Sequence, residues 1–188
     1  AKLLASSGGI WIDASVFPVV PLADWIDRSL DGCSFFAYAA PADDRPIASW
    51  FLAARETSLI MSEWWGAVCS YWDRPRKLAR NEKRQIVIPE NPVEAVSPES
   101  GAKDNQYYYY WFHYLFSYLC SSNKKFRSAW QKCARKSANP PHALQRYLRL
   151  HPGANAAQIT TQARLAEMQK LNLRFSYPLE ALAQVAYR

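Results

Sequence analysis

Two apolar runs, CSFFAYAA at residues 33–40 and PIASWFLAA at 46–54, meet across the segment PADDRP, whose prolines and aspartates break any regular element. Strand-length runs bounded by turn formers specify two strands. The next segment has another period. Ile60, Trp64, Val68 and Trp72 share one face with Met61, Trp65 and Cys69 beside them, while Ser58, Ser62, Gly66 and Ser70 form the opposite stripe. That spacing predicts a helix over residues 57–72, with Thr57 placed to cap it. Strands leading into helices predict an α/β chain.

The remaining segments extend this pattern. Residues 1–7, AKLLASS, read as helix turns stopped by Gly8 and Gly9. Residues 10–16 form a short apolar run with Asp13 in its middle, glycines before it and Pro18 and Pro21 after it. This predicts a buried strand running into a turn, then a short helix over 22–29. Residues 73–104 turn basic and then rich in Pro, Glu, Ser and Gly, the pattern of an irregular insertion with one short strand near 86–88. QYYYYWFHYLFSYLC, 106–120, is apolar nearly all round and predicts a buried helix whose polar stripe of Gln106, Tyr110, His113 and Ser117 faces a cleft. Further helices are expected over 126–136, 142–150, 156–169 and 178–187, separated by NPP and HPG breaks. The expectation is one domain over 1–188: a strand and helix part (1–72), the insertion (73–104) and a helical part (105–188).

With 188 residues, 49% hydrophobic and 21% charged, the chain can bury one ordinary core. Eight Trp and eleven Tyr suit a crowded core first, and a stacking surface for sugars or bases second. The net charge of +7 is concentrated in two runs, Arg74 to Arg84 and Lys124 to Lys136, which are either solvated faces or attractors of phosphate-rich partners. No nucleic-acid module accompanies them, so nucleic acid is not an expected partner. Cys33, Cys69, Cys120 and Cys133 are widely spaced without a CxxC pair, which predicts buried free thiols in a reduced compartment. Residues 105–123 are uncharged and long enough to span a bilayer, yet their Asn, Gln, His, Ser and six Tyr favour peripheral contact over a span.

No nucleophile elbow, P-loop, GxGxxG or HExxH occurs. The feature left is Asp13. A carboxylate in a buried strand pairs with a hidden cation, ligates a metal, or caps the following turn. His113 would serve a cleft as metal ligand, acceptor contact or base, or else be a buried imidazole bonded to Gln106 or Ser117. His151 reads as a surface residue. Asp43 and Asp44 are turn formers by default, with an acceptor-side carboxylate as the alternative.

The stretch LLASSGGIWIDASVFPVVPLADWI, followed in order by FFAYAAPADDRPIASWFLAA, YYWFHYLF, PPHALQRYL and MQKL, resembles the capsular polysaccharide synthesis family of putative glycosyltransferases. That family is similar to the family 32 sugar transferases with a DXD motif. The resemblance implies a GT-A type nucleotide-sugar fold with a parallel-rich sheet, a nucleotide-sugar donor and a glycan acceptor. It implies a divalent cation, Mn or Mg, held on the donor diphosphate by Asp13. The second acid of DXD is Ser15 here, so Ser15 is the expected weaker ligand, and His142 the late third ligand if it is not simply a helix start. Gly8, Gly9, Trp11, Ser49, Trp50 and Asp44 fall in the blocks expected to contact substrate; the resemblance implies a retaining mechanism in which the leaving diphosphate accepts the proton, with Asp44 or His113 the base if the mechanism inverts. The family carries an SDxxRxxxL segment whose Arg would fall just before Ala1, so a fragment lacking the first sheet half is the expectation. The implied location is cytoplasmic, peripheral at a membrane, or the Golgi lumen in a eukaryote. A non-catalytic basic, aromatic-rich module binding glycan, nucleic acid or membrane surface is the rival reading.

Overall fold

The structure, a computed structural model, describes residues 1–98 and 105–186. The chain forms α1 (Lys2–Ser7), β1 (Gly9–Ile12), β2 (Val16–Pro18), α2 (Ile26–Leu30), β3 (Phe35–Ala42), β4 (Arg45–Ala54), α3 (Leu59–Tyr71), β5 (Lys77–Leu78), β6 (Gln106–Tyr107), α4 (Trp111–Ser122), α5 (Lys124–Lys132), α6 (Ala143–Leu150), α7 (Ala156–Ala163), β7 (Met168–Lys170) and α8 (Leu179–Ala186). It is mixed α/β with small sheets.

The hairpin legible in PADDRP is the centre of the fold. β3 and β4 pair antiparallel around Asp43 and Asp44, and β1 adds to the other side of β4, giving the order β1-β4-β3. The strands of this sheet are antiparallel throughout, and parallel pairing among the described residues is limited to the two-residue β5 and β6 and a single bridge from Ala39 to Ser137. The parallel-rich sheet implied by the resemblance is therefore not what these residues form. β2 pairs with β7 in a separate antiparallel ribbon.

Alternation along β4 sorts its side chains to two cores. Leu52 and Ala54 face a core with Phe35, Trp64, Phe116, Phe126 and Trp130, while Ala53 and Phe51 face one with Trp25, Phe36, Tyr38 and Met168. α3 and α4 cover the first core, and Trp64 anchors the contact: it stacks on Phe112 at 4.0 Å and donates from Nε1 to the Phe112 carbonyl at 3.2 Å. A third core joins α6, α7 and α8 through Leu144, Ile159 and Leu182.

Several expectations are corrected. β1 is an edge strand with Ile10, Trp11 and Ile12 exposed, so the apolar run is not a buried strand, and Asp13 lies just beyond it rather than in its middle. α3 is capped by Ser58, whose Oγ accepts from Met61 N, and not by Thr57. The aromatic helix starts only at Trp111, because Gln106 and Tyr107 pair with β5, so Gln106 does not share a helical stripe with His113. The helix expected over 156–169 ends at Ala163, and Met168 to Lys170 is a strand instead. The insertion has a short helical turn, Glu94–Val96, and a bridge from Arg80 to Ile86. Its residues 99–104 lie outside the described residues, as do 187 and 188.

Cys33 and Cys133 form a disulfide with Cα atoms 4.7 Å apart, which overturns the expectation of four free thiols and removes its support for a reduced compartment. Cys69 and Cys120 are free. No helix among the described residues is long and apolar enough to cross a membrane.

Gly8 ends α1 with φ at 63°, and a Cβ there would lie 2.6 Å from Glu56 N and 2.9 Å from the Ala54 carbonyl. The glycine is thus required both for its left-handed backbone and for the close approach of α1 to the end of β4.

Candidate functional site

Asp13 is fixed from its own backbone outward. Its N–H donates to the Trp50 carbonyl at 2.9 Å, which carries the β1 and β4 pairing one residue further, and its carbonyl accepts from Val16 N at 2.9 Å to close a turn. That turn presents the Asp13 carboxylate and the buried Ser15 hydroxyl beside β7.

β7 brings the cation. Val16 is in register with Lys170, and Leu171 N donates to the Ser15 carbonyl at 2.8 Å, so backbone pairing sets Lys170 next to Ser15 across a separation of 155 residues. The Lys170 ammonium donates to Ser15 Oγ and, at 3.3 Å, to the Leu171 carbonyl, and lies 3.7 Å from Asp13 Oδ2. Its side chain is only 19% exposed.

His142 enters from the short helical turn Pro140–His142 that precedes α6. Its Nδ1 lies 2.7 Å from the Ala138 carbonyl oxygen, an acceptor only, so Nδ1 carries the ring proton and Nε2 keeps its lone pair. Burial holds this imidazole below its ordinary pKa; the Ala138 contact opposes that, while Arg146, Lys170 and Arg45 reinforce it. It is neutral at neutral pH. The ring meets Trp50 edge to face at 5.7 Å.

What positions Lys170 against His142 is Gln169, which is fully buried. Its side-chain oxygen accepts from Leu144 N at 3.1 Å, and its amide donates to the Ala163 carbonyl at 2.9 Å and the Pro140 carbonyl at 3.3 Å. One side chain thus locks β7 to the starts of α6 and its preceding turn and to the end of α7. Asp13, Ser15, His142, Gln145, Lys170 and Arg174 line one open cavity of about 400 Å³.

A second polar cluster lies at the tip of the β3 and β4 hairpin. Asp44 accepts from Tyr114 Oη at 3.0 Å and from Arg45 Nε at 3.0 Å, and the Arg45 guanidinium lies over the Tyr110 ring at 4.0 Å. His113 packs against Tyr110 here, and its buried Nδ1 has no hydrogen-bond partner among the described residues. Burial, helped by Arg45 and opposed by Asp44, pushes its pKa down to about 4. The expected bond from the ring to Gln106 or Ser117 is absent among the described residues; the Ser117 hydroxyl donates to the His113 backbone carbonyl instead.

The structure therefore unites Asp13, Ser15 and His142 and separates them from other candidates. Gly8 and Gly9 sit at the opposite end of β1, about 13 Å away at the usual strand rise. Trp11 is 53% exposed on the sheet edge, and Ser49 is half-buried beside Trp50. Trp50 is buried, with one face stacked on Tyr38 at 4.9 Å, so its ring is part of the core. Asp44 is more than a turn former, since Tyr114 and Arg45 satisfy both its oxygens. His151 is exposed and packs on Tyr147.

Sequence reasoning gave no role to Lys170, Gln145 or Arg174. MQKL carried Lys170 in a block similar to the family's, and a lysine beside Gln169 between two apolar residues was the signal available.

The divalent cation implied by the resemblance needs hard oxygen ligands at 2.0–2.6 Å. Asp13 and Ser15 supply oxygens, but the Lys170 ammonium is already bonded to Ser15 Oγ and lies 3.7 Å from Asp13 Oδ2. Among the described residues no three His, Cys, Asp or Glu side chains gather as a metal site. The donor set fits a lysine, not a divalent ion.

A larger cavity than that of Asp13 lies elsewhere, at the far end of the sheet where β4 hands over to α3. It has about 680 Å³ and is lined by Lys124, Lys125 and Lys132 with the hydroxyls of Ser34, Thr57 and Ser128.

Neither a curated protein nor a solved structure matches the chain. Residues 1–80, which contain Asp13 and Ser15 and the whole three-stranded sheet, match the family model described as capsular polysaccharide synthesis protein, and over that stretch the chain is similar to that family.

Proposed function

We propose that the chain serves a glycosyltransferase reaction in capsular polysaccharide synthesis, moving a sugar from a nucleotide-sugar donor to a glycan hydroxyl. The observation that carries this reading is the gathering of Asp13 and Ser15, from the stretch similar to that family, with Lys170 and His142 in one cavity. In such a transfer the bond from the anomeric carbon to the diphosphate oxygen breaks with its electron pair on the diphosphate, and the acceptor oxygen bonds to that carbon and releases its proton. The developing diphosphate charge needs fixed positive charge beside it, which Lys170 and Arg174 bring to the cavity. Neutral His142, with Nε2 unprotonated, has the protonation state required to take the acceptor's proton. His113 is packed in the hairpin-tip cluster, so His142 replaces it as the proposed base.

The reading places the enzyme at a membrane periphery or in solution. Asp13→Ala in the full-length protein should abolish sugar transfer and donor hydrolysis while leaving the circular dichroism spectrum unchanged. Unaltered transfer would refute the role given to the cavity. The lysine-lined cavity favours a second reading, a module that binds anionic glycan without reacting with it. Charge reversal at Lys124, Lys125 and Lys132 would then weaken glycan binding with a strong salt dependence, and Asp13→Ala would change nothing.

A further inference from the structure

The geometry points to Lys170 as the resident cation of the Asp13 cavity, so that the cavity holds a diphosphate through an ammonium group without a metal ion. This deepens the transferase reading and rests on it for the identity of the diphosphate as the donor's leaving group.

Three observations carry it. The first is position. Lys170 Nζ donates to Ser15 Oγ and lies 3.7 Å from Asp13 Oδ2, the two oxygens that a divalent ion would have to bridge. A metal within 2.0–2.6 Å of both would meet the ammonium at close range, two like charges in a cavity walled by protein. The second is fixation. Lys170 does not reach in from a loop: its backbone is paired to β2, and the neighbouring Gln169 is tied to three separate segments by buried hydrogen bonds. Withdrawing the side chain to admit a metal would leave Ser15 and Asp13 without their partner while the backbone stayed in place.

The third is donor capacity. An ammonium has three N–H groups. Two are taken by Ser15 Oγ and the Leu171 carbonyl, and the third has Asp13 Oδ2 at 3.7 Å, beyond hydrogen-bond reach though close enough to orient the charge. A phosphate oxygen entering the cavity can take that third donor. Asp13 is then a positioning residue that holds the ammonium in place, and Ser15 suits the task because a hydroxyl accepts from lysine where a second carboxylate would cancel its charge. The departure from DXD at Ser15 and the presence of Lys170 thus have one explanation. With Asp13 and Lys170 offsetting each other and His142 neutral, Arg174 leaves the lining positive, as an anion requires.

The test uses inorganic pyrophosphate as probe and the whole chain, by titration calorimetry in EDTA and again with excess Mn²⁺. Expected is binding that changes by less than about 2-fold between the two conditions, falls roughly 10-fold or more in Lys170→Ala, and is retained within roughly 3-fold in Lys170→Arg, which keeps the charge. Electron paramagnetic resonance of Mn²⁺ should show no tight site in the unaltered chain and a new, Asp13-dependent one in Lys170→Ala. Since Lys170→Ala could loosen β7, Lys170→Gln with a thermal melt serves as the second variant; it keeps a donor to Ser15 and should bind as poorly as Lys170→Ala. Pyrophosphate binding that requires Mn²⁺, binding indifferent to Lys170, or no binding in either condition would overturn the inference. If full-length protein transfers sugar only with Mn²⁺, the lysine site fails and the transferase reading stands. If pyrophosphate binds through Lys170 but no sugar is transferred under any condition, the transferase reading fails and the lysine site stands.

Discussion

The Asp13 cavity and the hairpin-tip cluster each combine a carboxylate, a cation, a histidine and a hydroxyl, yet they have opposite chemical standing. At the hairpin tip both Asp44 oxygens are engaged, Arg45 lies on Tyr110, and the side chains of the Asp44 and Arg45 pair are 27% and 22% exposed. In the cavity Asp13 is 38% exposed, one ammonium proton of Lys170 is unshared, and His142 Nε2 keeps its lone pair. Asp44, Arg45 and Tyr114 bonded to one another make the first a fastening, and its one unpaired atom, His113 Nδ1, is buried; unused donors and acceptors lining an open cavity make the second a place for a ligand. The presence of titratable residues does not separate the two, but whether their unspent hydrogen bonds open onto a cavity does.

The sharpest way to break this comparison is to remove the two carboxylates in turn. Asp13→Ala should lower sugar transfer by roughly 10³-fold, the scale of losing a preorganised charged contact, with little change in the unfolding midpoint. Asp44→Ala should leave transfer within a fewfold and instead shift the urea midpoint, as given below. A result with these outcomes exchanged would reverse the assignment of the two clusters.

Acid titration gives the next largest effect. His113 has a folded pKa of about 4 against 6.5 unfolded, so below about 6.5 the unfolded chain takes up a proton that the folded chain refuses. Stability is therefore full above about pH 6.5 and falls as pH drops to about 4, by up to roughly 3 kcal/mol from this residue. His142 is shifted in the same direction and adds to the slope. His113→Gln should flatten much of that fall in urea unfolding series measured across the window, and an unchanged slope would show the imidazole to be solvated.

Asp44→Ala should cost about 2 kcal/mol, because the Arg45 guanidinium and the Tyr114 hydroxyl lose their shared acceptor in a mostly buried setting. Its reading is the urea midpoint. Gln169→Leu should cost a similar amount, about 2 kcal/mol, by leaving the Leu144 N–H and two carbonyls unpaired. It should also weaken pyrophosphate binding through Lys170, which Asp44→Ala should not. The smallest expected effect is at the sheet edge. Trp11→Ser, at a half-exposed position outside both clusters, should change stability by less than about 0.5 kcal/mol and leave transfer untouched.

Much of this contrast was legible in residue order where it depended on local chemistry. The hairpin, α3 and the stop at Gly8 follow from turn formers, a four-residue period and a glycine, and Asp13 stood out because a carboxylate beside glycines in an apolar run requires an explanation. Lys170 was not legible. LAEMQK has the composition of a helix end, and it becomes β7 only because β2, some 150 residues earlier, offers it a partner; tertiary pairing overrode local propensity. The same holds for β1, whose Ile, Trp and Ile at 10–12 are the composition of a buried strand and line an edge. His113 was legible as a polar interruption in an aromatic helix, but its neighbours Asp44 and Arg45 come from a turn 70 residues away.

The Cys33 to Cys133 bridge adds a distinction of covalent topology. The ring it closes contains the β3 and β4 hairpin, α3 and α4, and with them Asp44, Arg45, His113 and Tyr114, whereas Asp13, Ser15, His142 and Lys170 all lie on the two tails outside it. One cluster is thus enclosed within a single cross-linked ring and the other is assembled where the two tails meet, with β2 paired to β7 and Asp13 N–H bonded to the Trp50 carbonyl of the ring. Cutting the bridge releases a 100-residue constraint on the ring and none on the junction of the tails. Reduction should therefore speed amide exchange in α3 and α4 before it disturbs the strand pairing that holds Lys170 to Ser15.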